Sequence, residues 1–135
     1  MRPASIVNFE RVVLLMLAVA VADTVINWSA VEALARMQRM DSTVIAASLG
    51  VLLVLILVLA LLVSRRASSV ARWLYVLLVG AILAYEASSI GDVAGGTTSA
   101  LAVALVEGIL ALLSIWLLFR SDSRAWLGGA RGPTA

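Results

Sequence analysis

Four apolar runs separated by short polar stretches set the pattern of this chain; they cover residues 12–28, 43–63, 70–88 and 100–119. A helix of about 20 residues reaches roughly 30 Å, the thickness of a bilayer's hydrocarbon core. The pattern therefore predicts four membrane-spanning helices. The run 43–63 is the clearest, with no charge and a centre of Leu and Val. Its small residues Ala46, Ala47 and Gly50 are bunched at one end, so close packing is expected there. The run 12–28 is at the short limit for a span. It has the basic start and small-residue triplet (Ala20-Val21-Ala22) of a signal peptide, but we take it as retained. Its far end then carries Asp23, Thr24, Asn27 and Trp28 as an interfacial terminus.

The connections are polar. Residues 29–42 hold Glu32, Arg36, Arg39 and Asp41, while Val31, Leu34 and Ala35 keep helical spacing. This connector either continues the first helix or lies on the membrane surface. SRRASS at 64–69 reads as a tight turn, and the Gly-rich stretch 89–99 as a loop. Its GDVAGG segment lacks the preceding strand and the Lys of a phosphate-binding loop, so a flexible turn is expected. Residues 120–135 form a polar tail, expected to be partly disordered.

The fourth run carries one charge, Glu107, within a seam of small and polar residues: Ala100, Ala104, Glu107, Ala111 and Ser114. Steps of four, three, four and three keep them on one helix face, while Leu101, Leu105, Leu112 and Trp116 point elsewhere. Small residues let a neighbouring helix approach closely in lipid, and a carboxyl on that face is shielded from acyl chains. The third run has its own seam, Gly80, Ala84 and Ala87.

Composition sharpens this picture. The chain has 135 residues, 63% hydrophobic and 13% charged, against about 45–50% and 25% for a soluble domain. It is an integral membrane protein by composition. There is no His and no Cys, so the commonest acid–base group, thiolate chemistry and the usual metal and haem ligands are missing. No cofactor, no metal and no enzymatic activity are expected. The basic residues are all Arg. With both termini inside, Arg2, Arg11, Arg65, Arg66, Arg72, Arg120, Arg124 and Arg131 are cytoplasmic, and only Arg36 and Arg39 are outside. That asymmetry satisfies the positive-inside rule and accounts for the basic charge without nucleic acid as a partner. The four Trp read as interface anchors.

This topology gathers Glu107, Glu86 and Asp23, with Asn27, Tyr85 and Ser88, in the outer half of the bundle, where no Arg lies at the same depth. Intramembrane carboxyls are candidate ion or proton sites by default, the alternative being a hydrogen bond that joins helices. Glu107, Glu86, Asp23 and Asn27 are therefore the candidate ion or proton site. Ala100, Ala104, Ala111, Ser114, Gly80 and Ala84 are the candidate packing seam.

RPASIVNFER at the start, INW closing the first run, SRRASSVARW, and FRSDSRAW after the fourth run together carry a resemblance. The chain resembles small, uncharacterised four-helix inner-membrane proteins of bacteria. The likeness implies a bacterial plasma-membrane location and no particular activity. It is of similar size to the small multidrug-resistance exporters, but their expected Glu in the first span is missing. Here that span has Asp23 near its end and Glu10 outside it. The expected fold is all-α, a single-domain integral-membrane four-helix bundle with both termini cytoplasmic. The leading expectation for function is an accessory or scaffolding subunit acting through helix contacts, as a homo-oligomer or within a larger complex in the bilayer. The alternative is a small proton- or cation-coupled transporter or channel using Glu107. A carrier requires a cavity that reaches Glu107; a scaffold requires a dry, packed seam.

Overall fold

A computed structural model describes residues 2–94 and 98–128, apart from the side chains at 89–94 and 98–100. Those residues form six helices: α1 (Ala4–Ile26), α2 (Trp28–Gln38), α3 (Ser42–Arg66), α4 (Ser69–Ala94), α5 (Thr98–Leu118) and α6 (Ser121–Gly128). Three of them are long and apolar enough to cross a membrane: α3, α4 over Ser69–Ser88, and α5 over Leu101–Leu118. The described residues thus make an all-helical protein, and three of their helices are membrane-capable. Helix α1, which carries Glu10, Arg11 and Asp23, is not among them.

Helix α1 packs against α3 and α5, and α4 packs against the same two. Side chains fix how the ends meet. Glu10 near the start of α1 pairs with Arg65 at the end of α3 (3.3 Å). Arg72 at the start of α4 lies over Phe119 just past α5, and Ser5 at the start of α1 meets Ser123 of α6 (2.7 Å). One end of the molecule therefore collects most of the arginines, and successive long helices run antiparallel.

Local signals explain the boundaries. Pro3 lacks an N–H and carries a preset φ, so it precedes a helix well; its carbonyl accepts from Ile6 and Val7. The polar lead up to Glu10, placed outside the first run by hydropathy, is consequently helical. Asn27 breaks α1 from α2: its backbone N–H and its side-chain amide both donate to Asp23, to the carbonyl and to Oδ1. The connector 29–42 resolves into a separate short helix, with Val31 and Ala35 buried on Ile45 of α3 and Leu34 left exposed. Asp41 caps α3 by accepting from the Thr43 N–H at 2.7 Å. Helix α4 continues to Ala94, well into the stretch read as a loop, and α6 occupies part of the stretch read as a tail. Residues 95–97 and 129–135 lie outside the described residues.

The turn after α3 stores a small strain. Ala67 sits at φ 50°, a left-handed conformation that costs a Cβ-bearing residue about 1–2 kcal/mol and glycine almost nothing. Glycine's greater chain entropy returns part of that. Ala67→Gly is expected to raise the unfolding free energy by roughly 0.5–1 kcal/mol, measured by denaturant titration in micelles. A loss of stability would mean that this turn relaxes out of the left-handed region.

The core is densest toward the arginine-rich end. Phe9, Val13, Leu59, Ala60, Val63, Tyr75 and Leu118 are buried there. Large apolar residues are exposed around the outside, among them Leu14, Leu15, Val51, Val54, Leu74, Leu77, Leu105, Ile109 and Leu112. A soluble domain seldom exposes so large a contiguous apolar belt; lipid makes it inexpensive.

Candidate functional site

Three acidic residues, Asp23, Glu86 and Glu107, come together at the end opposite most of the arginines. A cavity of about 530 Å³ opens there among α1, α3, α4 and α5. Asp23, Glu86 and Glu107 all line it, with Thr24 and Tyr85 beside them. The remainder of its wall is apolar: Met16 and Leu17 from α1, Leu52 and Ile56 from α3, Val79 and Ile82 from α4, and Ala111 from α5. Among the described residues that line it, none is basic.

Helix geometry ranks the carboxyls by depth. Ala111, Val79 and Met16 form the deeper wall, next to the packed core. Glu107 is four residues from Ala111, one turn above it. Glu86 is seven residues from Val79 and Asp23 seven from Met16, two turns above. At 1.5 Å per residue these steps are about 6 Å and about 10 Å, so Glu107 sits deepest. Glu86 and Asp23 are near enough to act on it electrostatically. Asp23 is also engaged by the Asn27 amide at 2.7 Å. Asn27 itself does not line the cavity and serves to position Asp23. Thr24 donates its hydroxyl to the Ala20 carbonyl (2.8 Å), which leaves its oxygen lone pairs available.

Below the cavity the bundle is closed. Phe9 and Tyr75 stack edge to face with ring centroids 5.2 Å apart, and both are fully buried. Ser114, also fully buried, donates to the Ala111 carbonyl (2.7 Å) and lies 2.8 Å from the Tyr75 oxygen. A serine hydroxyl has one proton; since it goes to Ala111, Tyr75 is the donor to Ser114. This layer makes the cavity one-sided.

The seam residues divide. Ala111 and Ser114 are buried and Ala104 and Glu107 half-buried, whereas Leu105, Leu112 and Trp116 are exposed. The side chain of Ala100 lies outside the described residues. Gly80 and Ala84 depart from the expectation. A Cβ placed on Gly80 would meet no atom within 4 Å, and Ala84 is exposed, so no neighbouring helix approaches them closely among the described residues. Gly50 is likewise open, whereas Ala46 is half-buried at the end of α3 where α2 packs. The contribution of α3 to the cavity had no signal in the sequence, because Leu52 and Ile56 look like every other residue of a uniform Leu/Val run.

At the arginine-rich end, Glu10 bridges Arg2 (2.7 Å) and Arg65 (3.3 Å). Helix α6 docks through Ser123, whose hydroxyl lies 2.7 Å from both Ser5 Oγ and the Leu117 carbonyl. The Arg124 Nε–H donates to the Phe119 carbonyl (2.9 Å) and so satisfies the end of α5. A hydrogen bond from Ser5, with the nearby charge of Arg120, holds the Asp122 carboxyl below its ordinary value of 3.8. A lowered folded value stabilises the docked state above the ordinary value, and that contribution disappears as pH falls through the folded one. Below about pH 4, α6 is therefore expected to loosen, followed by Trp126 emission, and Asp122→Asn should flatten this dependence. An unchanged pH profile in the variant would assign the transition to another group.

No known family model, no curated protein and no solved structure matches this chain. The functional reading therefore rests on the residues themselves. Among the described residues, no three carboxylates converge closely enough to hold one metal ion. The chemistry offered is three carboxyl groups spread over an apolar pocket.

Proposed function

We propose that this protein is a small cation-binding carrier of the membrane, and that its site is the acidic cavity reached by Glu107. The observation that carries this reading is the placement of Asp23, Glu86 and Glu107 on one largely apolar cavity with no basic residue among its described lining. Carboxyl groups that share one apolar pocket repel one another when ionised, and a cation relieves that repulsion. The apolar wall favours a ligand with hydrocarbon around its charge, and 530 Å³ lies within the usual range for small-molecule sites, about 300–1,000 Å³. The ligand class is thus a bulky monovalent organic cation. The closed layer of Phe9, Tyr75 and Ser114 beneath it fits a carrier with one-sided access better than an open channel.

In this reading α1 is the fourth span. Its 23 residues reach roughly 34 Å, Leu14, Leu15, Val21 and Val25 face outward, and Glu10 is neutralised by Arg2 and Arg65. The four long helices then form a transmembrane bundle with both termini cytoplasmic and the cavity facing out, the orientation the arginine asymmetry favours. A bacterial inner membrane is the location that the sequence resemblance suggests.

The test is equilibrium binding of tetraphenylphosphonium to the protein in nanodiscs, with exchange of labelled tetrapropylammonium across proteoliposomes. Saturable binding at one site per chain and protein-dependent exchange are expected. No binding above that of empty nanodiscs would sink the proposal.

The accessory or scaffolding reading keeps one specific support. Gly80 and Ala84, one turn apart on α4, leave an open small-residue face of the kind that admits a second helix. A second copy of the chain seated there is compatible with the carrier, since the cavity lies among α1, α3, α4 and α5 within one copy.

A further inference from the structure

A second site lies at the opposite end, on the outer surface of α4 and α5. We propose that Arg72 and Arg120 bind the phosphate headgroup of an anionic lipid on an aromatic shelf made by Trp73, Trp116 and Phe119. The Arg72 guanidinium carbon is 5.4 Å from the Trp73 ring centroid and 5.7 Å from that of Phe119. The two rings meet edge to face at 5.9 Å. The next residue, Arg120, places its guanidinium 5.2 Å from the Trp116 ring. Two arginines are thereby held by ring faces on adjoining positions of one surface.

Arg72 is an incomplete ion. Its Nε is buried without an acceptor, and no carboxylate lies within ion-pair distance of it among the described residues. Aromatic faces attract the cation but accept no strong hydrogen bond, so the planar fork lacks the oxygen partners it is shaped for. Leaving a partly desolvated guanidinium unpaired is costly. Arg65 provides the contrast, being paired with Glu10. Arg120 has only a long contact to Asp122, 3.8 Å, and half of its side chain is open. A phosphate presented from outside supplies acceptors to both.

The surroundings identify the source as lipid. Trp73 and Trp116 are 50% and 57% exposed, at the level where interfacial tryptophans sit. The shelf runs directly into the exposed apolar belt of Leu74, Leu77, Leu112 and Leu113, along which acyl chains lie. Basic clefts between helices at this membrane face are suited to anionic headgroups.

The full chain in neutral detergent is titrated with short-chain phosphatidylglycerol, short-chain phosphatidylcholine or inorganic phosphate, and thermal unfolding is followed. Native mass spectrometry counts lipids retained from mixed nanodiscs. Phosphatidylglycerol is expected to raise the midpoint saturably and to be retained, with no effect of the other two additives. Arg120→Gln, at an exposed position where folding is not at risk, should raise the half-saturating concentration at least 5-fold, and Arg72→Gln more. Arg66→Gln should leave it unchanged. Arg72→Lys keeps the charge without the fork and should recover only part of the effect. Equal effects of both lipids, an equal effect of free phosphate, or an Arg120→Gln variant indistinguishable from wild type would each overturn the proposal.

Discussion

Glu107→Gln is expected to weaken tetraphenylphosphonium binding on the order of 10- to 100-fold. At roughly 6 Å and an effective dielectric near 20, one carboxylate attracts one cation by about 3 kcal/mol. Each 1.4 kcal/mol is a factor of ten, and partial screening at an open cavity reduces the full value. The neighbouring carboxyls should matter less, each for a stated reason. Glu86 lies about one turn nearer the mouth, and Asp23 shares its charge with the Asn27 amide. Glu86→Gln and Asp23→Asn are therefore expected to weaken binding by no more than about 10-fold. Gln preserves shape and polarity, so a folding defect is a poor explanation for the loss. A neutral probe of similar build, triphenylphosphine oxide, separates charge from cavity shape: its weak binding should be the same in wild type and variant. Infrared difference spectra should show a carboxyl band that responds to the cation in wild type and is missing in Glu107→Gln. Equal affinities in the two proteins would remove Glu107 from the site and return the carboxyl to a helix-joining role.

How much of this was legible beforehand follows from which interactions have a sequence period. The seam at Ala104, Glu107, Ala111 and Ser114 was readable because steps of three and four put residues on one helix face whatever the neighbours are. That Glu107, Glu86 and Asp23 share one end followed from counting turns along antiparallel spans. Their opening onto a common cavity did not, because a void is a property of four helices together. Leu52 and Ile56 of α3 carry no mark that distinguishes a wall residue from a lipid-facing one. Gly80 and Ala84 show the converse. Their spacing announces a close contact, but among the described residues no atom approaches Gly80 and Ala84 is exposed. The arginines were read as a topology signal, which is a sum over charges and is insensitive to detail. That Arg72 rests on two rings, with no carboxylate in ion-pair reach among the described residues, depends on how α4 and α5 meet, and no spacing encodes it. Helix α6 was missed for a related reason, since its hydrogen bonds run to Ser5, 118 residues away.

The layer beneath the cavity yields the largest stability effect. Tyr75→Ala is expected to lower the unfolding free energy by about 3 kcal/mol, the lower part of the range for buried aromatics. The lower part applies because lipid tails are as apolar as the core, so the loss is of packing against Phe9 rather than of transfer from water. Two smaller changes then separate packing from hydrogen bonding. Tyr75→Phe removes the donor but leaves Ser114 its bond to the Ala111 carbonyl, so only about 0.6 kcal/mol should be lost. Ser114→Ala instead strands the Tyr75 hydroxyl in a dry core, at roughly 1–3 kcal/mol. The order Tyr75→Phe, Ser114→Ala, Tyr75→Ala of increasing loss follows from the proton assignment, in which tyrosine donates and serine passes its proton on. Reversal of the first two would mean that Ser114 donates to Tyr75. Tyr75→Ala also joins the cavity to the arginine-rich end, so proteoliposomes carrying it should leak tetrapropylammonium faster than the wild-type exchange. A variant that loses stability without leaking would show that the seal lies elsewhere, at the Val63 and Leu118 layer one level further down.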